Sequence, residues 1–97
     1  MLHKIFTVFD AKAETYANPF VAQSTGMAIR TFADIANDTK HPIGQHPEDY
    51  TLFEIGTFNV QTSEIKTKDA KIALGTAIEH LSPIYSDPKI GDLTQVS

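Results

Sequence analysis

Ninety-seven residues with a net charge of −4 make one domain-sized chain, long enough for one modest core and no second. No stretch approaches the roughly 18 consecutive apolar residues of a membrane span, and the start "MLHKIFTVFD" has neither a long apolar segment nor a small-residue cleavage site, so it reads as a strand. The absence of cysteine excludes disulfides, thiolate metal sites and thiol nucleophiles, and twelve acidic against eight basic residues leave any DNA contact to a local patch, to stacking or to an oligomer.

In chain order, residues 2–9 are rich in β-formers and end at Asp10. Alternation sends Ile5, Thr7 and Phe9 one way and Lys4, Phe6 and Val8 the other, so the strand is covered on both sides or has one face open to a partner. Residues 10–23 read as a loop that lays Tyr16 and Phe20 over the core, because Asn18-Pro19 disfavours a helix. Ser24 or Thr25 then caps a helix over "GMAIRTFADIAND", with Ala28, Ile29, Phe32, Ala33, Ile35 and Ala36 on one stripe. Arg30 and Asp34 lie four apart on its outer side and can pair for about 0.3–0.5 kcal/mol.

Residues 38–47 form a loop with two prolines and a glycine. Tyr50–Phe58 follows as the central strand, since neither of its faces is purely polar. "NVQTS" turns the chain and "EIKTK" returns as a short edge strand, its lysines guarding the edge. Residues 69–81 have apolar residues at helical spacing, with Asp69 at the start and Ser82-Pro83 as the stop, and predict a second helix weakened by Gly75. The expected fold is α+β: one two-layer domain over 1–82 in β-α-β-β-α order. A right-handed crossover sets the first strand beside Tyr50–Phe58, in a three-stranded sheet with two helices packed on one face. Residues 83–97 form an extended tail. The opposite sheet face carries Phe and Tyr side chains with nothing to cover them, which implies a partner or a homo-oligomer.

Chemistry-bearing residues are few. His41, His46, Glu48 and Asp49 have metal-ligand donors but lack the rigid spacing of a zinc pair, so a structural turn is the better reading and no metal is expected. Glu48 and Asp49 are adjacent, which does not suit two carboxylates flanking one substrate. Neither a phosphate-binding glycine motif nor a nucleophile elbow occurs; the expectation is a non-enzymatic protein without cofactor. Lys66, Lys68 and Lys71 are the densest basic cluster, Arg30 is the sole arginine, and Tyr16, Tyr50, Phe53 and Phe58 can offer stacking surfaces for unpaired bases.

Four segments in order, "FDAKAETYANPF", "GMAIRTFADIAND", "HPEDYTLFEIGTF" and "ALGTAIEH", resemble the small nonstructural protein of the Microviridae, in the gokushovirus branch of single-stranded DNA phages. The resemblance covers roughly residues 4–81, with Asp10, Lys12, Arg30, Phe32, His46, Pro47, Asp49, Tyr50 and Gly56 at matched positions. It implies a protein of the host cell cytoplasm that binds DNA, single-stranded by expectation, in viral genome replication or packaging. Lys66, Lys68, Lys71, Arg30, Lys12 and Tyr50 are then the expected contacts. The alternative is an interaction module, a homodimer or adaptor contacting phage or host replication proteins without touching DNA.

Overall fold

Leu2–Asp10 forms the strand that its alternation predicts (β1), with Ile5, Phe6, Thr7 and Val8 all buried. The computed structural model describes residues 1–82; the extended tail expected over 83–97 lies outside them. The segment expected to be a loop instead contributes two short strands, Thr15–Tyr16 (β2) and Phe20–Ala22 (β3), which share the outer edge of β1. The turn into β2 closes on Asp10, whose carboxylate accepts from the Lys12 and Ala13 amides. Between the two strands pairing lapses at Pro19, which has no N–H to donate.

Ser24 caps the helix Thr25–Ala36 (α1), accepting from the Met27 amide. Its stripe buries Ala28, Phe32 and Ala36, and leaves Arg30 and Asp34 exposed without an ion pair between them. Asn37 ends the helix and ties it to residues 80–82, donating to Ala33 and His80 carbonyls and accepting from the Ser82 amide. The next loop holds one helical turn, Pro42–Gln45 (α2), and a 3-10 turn, Pro47–Asp49.

Tyr50–Asn59 (β4) is the central strand, as its pattern predicts, but it runs antiparallel to β1, from Asp10 opposite Tyr50 to Leu2 opposite Asn59. The expected parallel crossover is therefore wrong. β3 returns the chain to the start of β1, and α1 carries it back to the Asp10 end, so β4 must enter from there.

The second predicted helix is also absent. Residues Ile65–Thr76 form one long edge strand (β5), followed by a 3-10 turn at Ala77–His80 in which Thr76 and Glu79 make a capping box. Among the described residues the result is a five-stranded antiparallel sheet in the order β2-β1-β4-β5, with β3 also on β1 and a single long helix on one face. It replaces the three-stranded sheet with two helices. Backbone pairing explains the outcome: β4 is buried, and its second edge needs a full-length partner for its N–H and C=O groups. Gly75 marks the difference, since its φ of +106° lies outside any helix. In a helix, Gly75→Ala would gain about 1 kcal/mol. In this strand a Cβ lies 3.0 Å from both Glu79 Oε1 and His80 Nε2, so urea unfolding is expected to show a loss of about 1–2 kcal/mol.

The core sits between the sheet and α1: Phe6, Val8 and Leu52 meet Ala28, Phe32 and Ala36, with Ile43 and Ala77 at its margins. Both ladders of β4 slip around Ile55. β1 pairs Ile5 with Gly56 and then Phe6 with Glu54, and β5 pairs Thr67 with Gly56 and then Ile72 with Glu54. Such bulges bend and twist the sheet locally. At Gly56 the edge strand comes so close that a Cβ would stand 2.4 Å from the Lys66 carbonyl oxygen.

Candidate functional site

Cross-strand register determines what the face away from α1 displays. His3, Ile5, Thr7 and Phe9 stand opposite Phe58, Gly56, Phe53 and Thr51, with Tyr16 and Val21 flanking on one side and Ile65 on the other. Ile5 and Thr7 are themselves buried on this face, where the Thr7 hydroxyl donates to the Ala17 carbonyl, and the Phe and Tyr side chains expected on the sheet face opposite the helix lie around them. The rings of Phe9 and Tyr16 have centroids 4.7 Å apart, and those of Tyr16 and Phe53 are 6.0 Å apart, edge to face. The Lys71 ammonium reaches over both, 5.7 Å from the Tyr16 centroid and 5.5 Å from that of Phe53. A cation over an exposed ring is worth about 0.5–1 kcal/mol, enough to bias the lysine toward the rings without removing its charge from water.

Two adjoining depressions mark this face. One, of 330 Å³, lies among Thr7, Tyr16, Ala17 and Lys71. The other, of 310 Å³, lies among Ile5, Val21, Phe58 and Ile65; Pro19 and Ile55 border both. Tyr16 is 49% exposed, Val21 48% and Ile65 61%. Ile55 is the β4 residue left unpaired on both sides at these slips, so the bend in β4 shapes both depressions.

The expected contacts do not assemble into one groove. Lys71 joins the aromatic face, whereas Lys66 stands opposite Thr57, which in turn faces Lys4, in a row on the helix side of the sheet. Lys68 lies 3.3 Å from Glu54 Oε2, with Lys4 at 3.7 Å from the same oxygen. Glu54 is only 4% exposed, and its other oxygen accepts from the Thr25 hydroxyl at 2.8 Å. Burial works to raise its pKa, but the Thr25 hydrogen bond and the two lysines outweigh that and hold it below the usual carboxylate range. Lys68 thus neutralises a buried charge.

Arg30 is exposed on the outer side of α1, and Lys12 is exposed in the turn between β1 and β2. Tyr50 is half-buried at the acidic end of the sheet, where burial and the neighbouring Asp10 and Asp49 push its phenol up. His46, Glu48 and Asp49 bring ligand atoms within 4.8 Å of one another, and are the set that could hold a metal; His41 is drawn away, accepting from the Ile43 amide.

Phe9 and Lys4 are functional neighbours that sequence reasoning did not single out. Alternation already assigned each a face, but only the strand register reveals that Phe9 meets Tyr16 and that Lys4 shares Glu54 with Lys68.

Residues 3–80 match the family model described as Phage ORF5 protein. The chain belongs to the Phage ORF5 protein family. No curated protein and no solved structure matches it. The ORF5 match runs from β1 to the last 3-10 turn, so it takes in Phe9, Tyr16, Phe53 and Lys71 together with the Glu54 cluster. ORF5 membership makes this a phage protein.

Proposed function

We propose that this phage protein is a nonstructural, non-enzymatic protein of the Microviridae type that binds single-stranded DNA during genome replication or packaging in the host cytoplasm. One observation carries the reading: Phe9, Tyr16 and Phe53 cluster under the Lys71 ammonium on a sheet face that α1 leaves uncovered. Aromatic rings stack unpaired bases without regard to sequence, and a cation beside them meets the phosphates. With a chain charge of −4 and one lysine over the rings, stacking rather than counterion release dominates the affinity. The salt dependence is accordingly shallow.

Anisotropy titrations of labelled oligo(dT) across salt concentrations test this. Phe53→Ala and Tyr16→Ala are each expected to weaken binding roughly 5- to 150-fold, the range of about 1–3 kcal/mol per stacked base. Lys71→Ala is expected to weaken it less. Failure of the wild type to bind even at low salt removes the reading, as does unchanged affinity in Phe53→Ala.

A second reading draws on the apolar depression between Val21, Phe58 and Ile65. There another copy, or a phage or host replication protein, packs on the face without DNA. A homo-oligomer that Ile65→Lys dissociates, in a protein that ignores oligonucleotides, favours it.

A further inference from the structure

A third depression, of 410 Å³, opens on the helix side of the sheet, between the segment carrying β2 and β3 and the α2 turn. Its volume falls within the range of about 300–1,000 Å³ typical of small-molecule sites. Val8, Phe20, Ile35 and Ile43 give it an apolar floor. Asp10, Thr15, Asn18, His41 and Tyr50 bring polar side chains to its lining, and four of them have a definable character.

His41 Nδ1 accepts from the Ile43 amide at 3.1 Å, which leaves Nε2 as the ring's N–H donor. Asp10 takes two amide donors on Oδ1 and its carboxylate also accepts from the Tyr50 hydroxyl, so one part of its acceptor capacity stays open to a ligand. Tyr50 keeps its phenolic proton, held there by burial, by the charge of Asp10 and the hydrogen bond to it, and by Asp49; with that proton directed to Asp10, the phenol offers a ligand its oxygen. The Asn18 side chain is without a partner among the described residues and offers both donor and acceptor. Two carboxylates at this end make the pocket hostile to phosphate. An apolar floor suits a planar ring, and a rim led by a carboxylate acceptor favours an exocyclic amino group over the thymine N3–H, which lies between two carbonyl oxygens that the carboxylate repels.

We propose that this pocket takes one unpaired nucleobase bearing an exocyclic amino group, in preference to thymine. The proposal rests on the single-stranded DNA reading for its biological source, and the two sites are contiguous. Ala17 lines both this pocket and the depression beside Tyr16 and Lys71, so one wall of chain separates the stacking face from the base pocket. The phosphates stay outside, where Lys12, two residues beyond Asp10, and Lys40, directly before His41, are exposed.

Free deoxynucleosides separate the pocket from strand binding, because they carry neither phosphate nor neighbours. Deoxyadenosine, deoxycytidine, deoxyguanosine and thymidine are titrated into the labelled protein and followed by NMR. Saturable shifts of Asn18, His41 and Tyr50 signals are expected with the amino-bearing nucleosides, with thymidine roughly five- to tenfold weaker, the discrimination of one hydrogen bond. Tyr50→Phe keeps the ring in the core, and Asn18→Ala alters only an exposed side chain; each is expected to reduce affinity several-fold.

Equal shifts by all four nucleosides, or none, overturn the proposal. If oligo(dT) binds through Phe53 while no nucleoside moves the pocket, the base pocket is wrong and the DNA reading survives. If nucleosides fill the pocket while oligonucleotides fail to bind, the DNA reading falls and the pocket remains as a nucleoside site.

Discussion

Replacing Phe6 with alanine is expected to remove about 3–5 kcal/mol of folding free energy, the range for truncating a buried phenylalanine. Phe6 is fully buried in β1, stacks on Phe20 at 5.6 Å and belongs to the cluster that holds α1 against the sheet. Its neighbours Leu52 and Glu54 are strand-bound and cannot collapse into the void. Since a domain of this size has roughly 5–15 kcal/mol in total, the variant loses a large fraction of its stability and should unfold at a markedly lower urea concentration. Phe53→Ala provides the contrast. Phe53 is half-buried on the open face, so its truncation is expected to cost only about 1 kcal/mol. Urea unfolding followed by far-UV circular dichroism compares the two. A larger loss at Phe53 than at Phe6 would mean that the open face is covered after all and that the core has been assigned to the wrong side of the sheet.

The same asymmetry explains what could be read from the residues alone. α1 was legible because cap and stripe agree: Ser24 accepts from Met27, and Ala28, Phe32 and Ala36 recur every four residues on the buried side. The faces of β1 were legible by alternation. β2 and β3 were not, since they total five residues broken by Asn18-Pro19, too few for a period to register. Missing them reverses the direction of β4, because the return to the start of β1 is what makes β1 and β4 antiparallel.

Residues 69–81 misled for a different reason. Ala70, Ala73, Leu74, Ala77, Ile78 and Leu81 fit a helical period, yet only Leu74, Ala77 and Leu81 pack on the core or its margin, from a strand end and a 3-10 turn, while Ile78 is exposed. Alanine-rich spacing is a weak prior, and the open edge of β4 overrode it. The lysine cluster was visible, but its division was not. Lys66 and Lys68 fall on the helix side, whereas Lys71, the last residue of the unpaired stretch 68–71 in β5, turns to the aromatic face.

Removing both lysines around Glu54, as Lys4→Ala with Lys68→Ala, is expected to cost about 3 kcal/mol at pH 7, because it strands a buried carboxylate. Each single change is expected to cost about 1 kcal/mol, since the other lysine and the Thr25 hydroxyl remain. Glu54→Gln is milder than the double change: the lysine side chains are 41% and 31% exposed and can turn into water. The pH dependence has opposite signs in the two proteins. In the wild type the native carboxyl lies below the ordinary value of about 4.3. Its contribution is therefore present above that value and lost as pH falls through the depressed native one. In the double variant burial is opposed only by Thr25, so the native value moves above the ordinary one. That variant is penalised at neutral pH, and the penalty is relieved as acid protonates Glu54. The gap between the two proteins should therefore be widest near pH 7 and shrink steadily below pH values of about 5. Urea titrations between acid and neutral pH measure it directly. A gap that stays constant with pH would show that the lysines contribute packing alone, and that Glu54 finds its compensation elsewhere in the sheet.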